Sequence, residues 1–118
     1  MHKIAIVILA DTNQSDSMGR IVNALMAAKE FKEHQDDVQL IFTGTGTKWL
    51  PELSKSDHPL HETFMSVREN VRGACGFCAT TYNVTDAINA CDIPILQEYG
   101  TNMSYLNLIS DGYQVITF

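Results

Sequence analysis

Lys3 to Ala10 (KIAIVILA) is a run of β-branched and aliphatic residues with no polar position after Lys3. A strand that alternates between core and water shows a polar residue at every second place, so an unbroken run marks a strand buried on both faces. Such strands belong to parallel sheets covered by helices on both sides. A secretory leader would need a small-x-small cleavage pattern after the apolar segment. Here the segment is short, Asp11 ends it, and no such pattern follows. No other apolar run approaches the roughly 20 residues of a membrane span. The chain therefore reads as cytoplasmic, with no membrane attachment.

The remaining pattern repeats the same unit. After the polar stretch Asp11 to Ser17, in which Ser15, Asp16 or Ser17 can cap, a helix carries Met18, Ile21, Val22, Leu25 and Met26 on one face. Val38 to Thr43 is a second strand, ending at the turn residues Gly44-Thr45-Gly46. Thr47 caps a short helix through Leu53. The segment Ser56-Asp57-His58-Pro59 breaks the chain and restarts it as a helix with Leu60, Phe64 and Val67 inward. Val71 to Cys75 is a third strand, and Gly76-Phe77-Cys78-Ala79 turns from it into a broken helical stretch ending near Ala90, with Asn83 and Thr85 as caps. Ile93 to Leu96 is a fourth strand, Asn102 to Asp111 a helix closed by Gly112, and Tyr113 to Phe118 a final strand. Within 118 residues, this alternation predicts one domain spanning 1–118, a three-layer α/β/α sandwich around a mostly parallel five-stranded sheet with right-handed crossovers.

Charge narrows the partners. Eight Lys plus Arg against fourteen Asp plus Glu give a net charge of −6, with no long basic run, which argues against wrapping nucleic acid or an anionic membrane. A chain of this size buries enough surface to fold without a disulfide or metal staple. The three cysteines, Cys75, Cys78 and Cys91, are not the even set of a secreted framework.

In open parallel sheets, reactive groups gather where strand carboxyl ends lead into helix N-termini. Cys75 ends the third strand and Cys78 follows in the turn, where backbone amides lower a thiol pKa below its free value of roughly 8.5. Three other readings of the pair stand beside a nucleophilic one. Both thiols can be small buried hydrophobes. Cys-Gly-Phe-Cys also has the form of a thioredoxin-type redox pair. That fold, however, carries its pair after the first strand and faces it with a later cis-proline, whereas here the pair follows strand three and only Pro94 lies downstream. A metal set could draw on Cys91 with His58 or His61, but a second Cys-x-x-Cys or His-x₃₋₅-His is missing. The loop Asp11 to Gly19 has one glycine, at its far end, and reads as solvated rather than as a phosphate cradle. No cofactor and no metal is called for.

The order of elements, the segment Val71-Arg72-Gly73-Ala74-Cys75-Gly76-Phe77-Cys78-Ala79 and the ending Asp111-Gly112-Tyr113-Gln114-Val115-Ile116-Thr117-Phe118 resemble the DsrE/DsrF-like (TusD-related) sulfur-relay family over essentially the whole chain. The resemblance implies a small α/β/α sandwich that assembles as a homotrimer or homohexamer. It implies a persulfide held on a cysteine just after strand three, here Cys75, with Cys78 in the neighbouring small-residue position. The partners it implies are a TusA-like or rhodanese-like sulfur donor and an acceptor. Sulfur-carrying members follow the cysteine helix with Arg and Gly, where this chain has Thr80-Thr81-Tyr82-Asn83-Val84, so the resemblance supplies no basic docking rim. The alternative function is a non-catalytic oligomeric binding module with structural thiols. Trp49, Tyr82, Tyr99 and Tyr105 add aromatic surface that one small sandwich is not expected to bury alone.

Overall fold

A computed structural model describes all 118 residues. Five strands, β1 (Lys3–Ile8), β2 (Asp37–Phe42), β3 (Val71–Cys75), β4 (Ile95–Leu96) and β5 (Gln114–Thr117), form one sheet in the order β4-β3-β2-β1-β5. Every pairing is parallel. The helices are α1 (Ser17–Glu33), α2 (Trp49–Leu53), α3 (His61–Ser66), α4 (Gly76–Thr81), α5 (Thr85–Ala90) and α6 (Tyr105–Ser110). The five-stranded parallel sandwich expected from the sequence is the observed fold.

The strand order explains how the layers fill. From β1 to β4 each step moves to the next strand in the same direction, and crossovers of one hand then stack their helices on one face. Ile4, Ile6 and Ile8 point to that face, into a core of 20 buried residues with Ile21 and Leu25 of α1, Leu50 of α2 and Phe64 of α3. Each fully buried aliphatic side chain of this kind contributes about 1.5–3 kcal/mol. The return from β4 to β5 runs back across the whole sheet and leaves α6 on the opposite face. There Ala5, Val7, Ile41 and Cys75 pack with Met103, Leu108 and Tyr113 in a core of only seven.

Several boundaries differ from the sequence reading, each for a local reason. β1 stops at Ile8, where its ladder with β2 ends at the Ile8–Phe42 pair; beyond it the Leu9 and Ala10 N–H groups both turn to Phe118 O, at 2.7 and 3.1 Å, and the Leu9 side chain is 42% exposed. Of the face expected for α1, Ile21 and Leu25 are buried, together with Ser17, Ala24 and Ala28, whereas Met18 and Met26 are exposed and Val22 only half-buried. Asp16 stands at the N-cap of α1 but makes no capping bond; its carboxylate pairs with Arg20. Thr47 does not cap: it is buried inside a 3₁₀ turn, Gly44–Lys48, where its hydroxyl donates to Gly44 O at 2.9 Å. The helix after Pro59 begins only at His61, since the ring Nδ1 of His58 accepts the Leu60 N–H at 3.0 Å. Trp49 lies in the large core with its indole N–H donating to Ala10 O, so it adds nothing to the outer surface.

Helix ends account for two more differences. After α5, Asp92 adopts φ +58° and Ile93 N–H donates back to Ile88 O, so Ile93 belongs to the helix cap and β4 starts at Ile95. Asn83 (φ +56°) plays the same part after α4 and does not cap α5. This left-handed closure with two back-donating amides recurs at Gln35 after α1 and at Gly112 after α6. Asn102 to Ser104 stay outside α6, which starts at Tyr105 with the Ser104 hydroxyl accepting the Asn107 N–H at 3.0 Å.

Candidate functional site

The direction in which the chain crosses the sheet reverses at β4. The chain leaves β3 toward α4 on the crowded face and leaves β4 toward α6 on the other, so the carboxyl ends of these two strands form the switch point at which open parallel sheets bind ligands. Cys75 is the last residue of β3 and the residue before α4; Cys78 lies within the first turn of α4.

Two glycines let the chain close around the pair. At Gly73 (φ +154°) a Cβ would lie 2.4 Å from Pro94 O, so only glycine lets the Pro94 carbonyl come close enough to accept the Ala74 N–H at 3.0 Å. At Gly76 a Cβ would lie 2.9 Å from Thr101 O, the carbonyl that accepts the Phe77 N–H at 2.7 Å. The segment from Gln97 to Met103 is thereby drawn over the start of α4.

That closure surrounds Cys75 with polar partners although it is only 1% exposed. Met103 N–H donates to Cys75 Sγ at 3.5 Å, and the thiol lies 3.8 Å from Asn102 Oδ1, to which it can donate. Thr43, the residue after β2, brings its hydroxyl to 3.6 Å from Cys78 Sγ. Burial pushes the Cys75 thiol up, but the Cys78 and Met103 N–H groups and the Cys78 and Thr43 side chains outweigh it, and its pKa lies below the ordinary thiol value. Tyr105 is affected by the pair from the α6 side. Burial first, then the negative charge that Cys75 and Cys78 can carry, raises its phenol above the usual range. Cys78 is half-buried, and Phe77, between the two cysteines, is exposed. The arrangement can hold a sulfur anion on neutral donors and present it beside a second thiol.

The other candidates lie elsewhere. Cys91 ends α5 against the large core. His58 Nδ1 accepts the Leu60 N–H just before α3 and its ring sits edge-on to Trp49, and His61 Nδ1 bonds Leu53 O at 2.8 Å. The structure brings neither histidine nor Cys91 to the pair, and no three His, Cys, Asp or Glu side chains cluster as metal ligands. Sequence reasoning missed Thr43, Asn102 and Met103. Only the position of Thr43 at a strand's carboxyl end could have marked it.

Comparison with known proteins gives the same outline. The chain is 26% identical over 115 residues to the uncharacterized protein MJ0733 of Methanocaldococcus jannaschii, covering 97% of this chain and 93% of that protein. Its fold is similar to the crystal structure of the ychN protein from E. coli, with a TM-score of 0.65 at 18% identity over the full length of both chains. A conserved protein of unknown function, BT1422 from Bacteroides thetaiotaomicron, matches with a TM-score of 0.63 at 15% identity over 97% of this chain and 94% of that one. The DsrE/DsrF-like family model matches residues 2–118, and the chain belongs to that family.

Proposed function

We propose that this protein is a cysteine-based sulfur carrier that holds a persulfide on Cys75, with Cys78 as the resolving thiol. The observation that carries the reading is the main-chain N–H of Met103 aimed at the buried Cys75 Sγ at 3.5 Å, at the switch point of the sheet; the lowered pKa of that thiol agrees with it. Family membership supports it. In the loading step the Cys75 thiolate attacks the outer sulfur of a donor persulfide; the donor's S–S bond breaks, and the donor leaves as a thiolate that takes up a proton. No net oxidation occurs. The carried sulfur then passes to an acceptor thiolate by the same chemistry. Alternatively, the Cys78 thiolate attacks the inner sulfur, closes a disulfide and expels hydrosulfide, after which an external dithiol must reduce the pair.

Exchange of the two roles is the second reading, favoured by the greater exposure of Cys78. Intact mass after incubation with a sulfane-sulfur donor separates them. Wild type gains about 32 Da per sulfur, Cys75→Ser gains nothing, and Cys78→Ser loads but closes no disulfide. Unchanged loading in Cys75→Ser moves the carrier to Cys78. No loading in wild type with any donor leaves both thiols structural, in a non-catalytic module.

The same reading makes the protein a homotrimer or homohexamer that exchanges sulfur with a TusA-like or rhodanese-like partner. Support comes from Tyr99, Leu106 and Ile109, apolar side chains left exposed on and beside the single helix of the thin face. Light scattering at micromolar concentration should give three or six times the chain mass; a monomer overturns the assembly.

A further inference from the structure

We propose that Thr43 is a positioning residue for the thiol pair: its hydroxyl bonds Cys78 Sγ and holds that sulfur, and any negative charge the pair carries there, beside Cys75. The inference deepens the sulfur-carrier reading and rests on the same two cysteines. Thr43 is 5% exposed and directly follows the buried strand residue Phe42. Its backbone is fixed on both sides, the N–H donating to Ile8 O at 3.0 Å and the carbonyl accepting the Gly46 N–H at 2.9 Å. A β-branched side chain on a fixed backbone has little rotamer freedom, so the position of Oγ1 is set by the strand end. The one side chain that this oxygen bonds is Cys78, at 3.6 Å. A buried hydroxyl without a partner is unfavourable, and valine would fill the same shape without that cost. The hydroxyl is thus explained by the Cys78 sulfur it faces.

The charge environment makes a neutral donor matter. No Lys, Arg or His side chain bonds either sulfur; the partners are Thr43, Asn102 and the Met103 amide. On the 3₁₀ turn packed against α4, Lys48 pairs with Asp11 at 3.2 Å and lies over the Tyr82 ring, not on a sulfur; from α6 the titratable group acting with the pair is the Tyr105 phenol. The groups that bond a thiolate here are neutral dipoles. Thr43 is also among the groups that lower the Cys75 pKa, so the hydroxyl that bonds Cys78 acts on the charge of the pair.

The test is the pH profile of alkylation at each cysteine, read by peptide mass, in wild type, Thr43→Val and Thr43→Ser, with urea midpoints checking the fold. Thr43→Val should move the midpoint of the fast thiol up by about one pH unit. That slows alkylation near neutral pH about tenfold and leaves the limiting rate at high pH unchanged. Thr43→Ser should restore the wild-type profile. Should Thr43→Val fail to fold, Thr43→Ala removes the same hydroxyl for the comparison. Coincident profiles in wild type and the hydroxyl-less variant overturn the proposal, as does a serine variant that shifts like valine, since shape and not the hydroxyl would then be responsible. A shift in Thr43→Val with no sulfur loading in wild type removes the carrier reading and leaves Thr43 in place. Loading in wild type with no shift removes Thr43 alone.

Discussion

On one face of the sheet, Ile4, Ile6 and Ile8 lie under α1 to α5 in a core of 20 residues; on the other, Ala5, Val7, Ile41 and Cys75 lie under α6 in a core of seven. The same strand supplies both, residue by residue in alternation, so the inequality comes from topology and not from β1 itself. Four consecutive strands laid in one direction send their connecting helices to one side, and only the return to β5 serves the other. The crowded face can hold the fold together. The thin face can then place a buried sulfur next to a surface, with exposed Phe77 beside it and half-exposed Tyr105 opposite. Packing density and chemical access are divided between the two sides of one sheet.

The harshest way to break this comparison is a charge at matched depth. Ile6 is completely buried on the crowded face, and Ile6→Asp strands a carboxylate with no partner at a cost of several kcal/mol, against a total stability of about 5–15 kcal/mol for a domain of this kind. Soluble expression should be lost. Ile109→Asp, on the outer side of α6 where the residue is 59% exposed, should leave the chain folded. If the Ile6 variant stayed folded and soluble, β1 would not be a strand covered on both sides.

A gentler comparison uses the same deletion on both faces. Leu25 is fully enclosed by the large core, whereas Leu108 belongs to the small one and packs from a helix of six residues. Leu→Ala substitutions range over about 2–5 kcal/mol, and the cost falls where the surroundings can collapse into the space. Leu25→Ala should stand near the upper end and Leu108→Ala near the lower, read from urea unfolding at equal slopes. Equal losses would mean that the thin face is as rigid as the crowded one.

How much of this was legible in the sequence follows the same division. The crowded face announces itself through long apolar side chains: the β1 run, Val38 to Phe42, Phe64 and Val67. Even there the α1 stripe misleads in part, because Ala24 and Ala28 share the buried face with Ile21 and Leu25, while the larger Met18 and Met26 are turned outward. The cysteine pair was readable as strand end, glycine and turn. Its partners were not. Asn102 and Met103 come from a segment 27 and 28 residues further on, placed by the tight contacts at Gly73 and Gly76, and no periodicity encodes such a contact. Non-glycine residues at left-handed helix ends, such as Asp92 and Asn83, likewise look like caps or loop residues until the following amide is seen to donate backward.

The thin face replaces missing packing with a polar tie, and the smallest expected effect tests it. Tyr113, just before β5, donates its hydroxyl to Asp37 Oδ2 at 2.8 Å and accepts from Gln39 Nε2 at 3.0 Å. Gln39 in turn accepts from Arg72 at 3.1 Å, and Arg72 pairs with Glu98, whose carboxylate receives the Ser104 N–H at 3.3 Å at the start of α6. The chain of bonds thus joins both ends of α6 to the middle of the sheet. Tyr113→Phe removes its central hydroxyl and should cost about 1 kcal/mol at pH 7. Burial first, then donation to the Asp37 carboxylate, raises the Tyr113 pKa above its ordinary value of 10.0. A phenol whose folded pKa is raised favours the neutral form, so its contribution is complete below about pH 10 and is lost as pH rises through the folded value. The difference in urea midpoint between wild type and Tyr113→Phe should therefore close, or reverse, above pH 10. A gap that stays constant from pH 7 to that range would mean that the hydroxyl does not donate to Asp37, and that α6 is held by its small core alone.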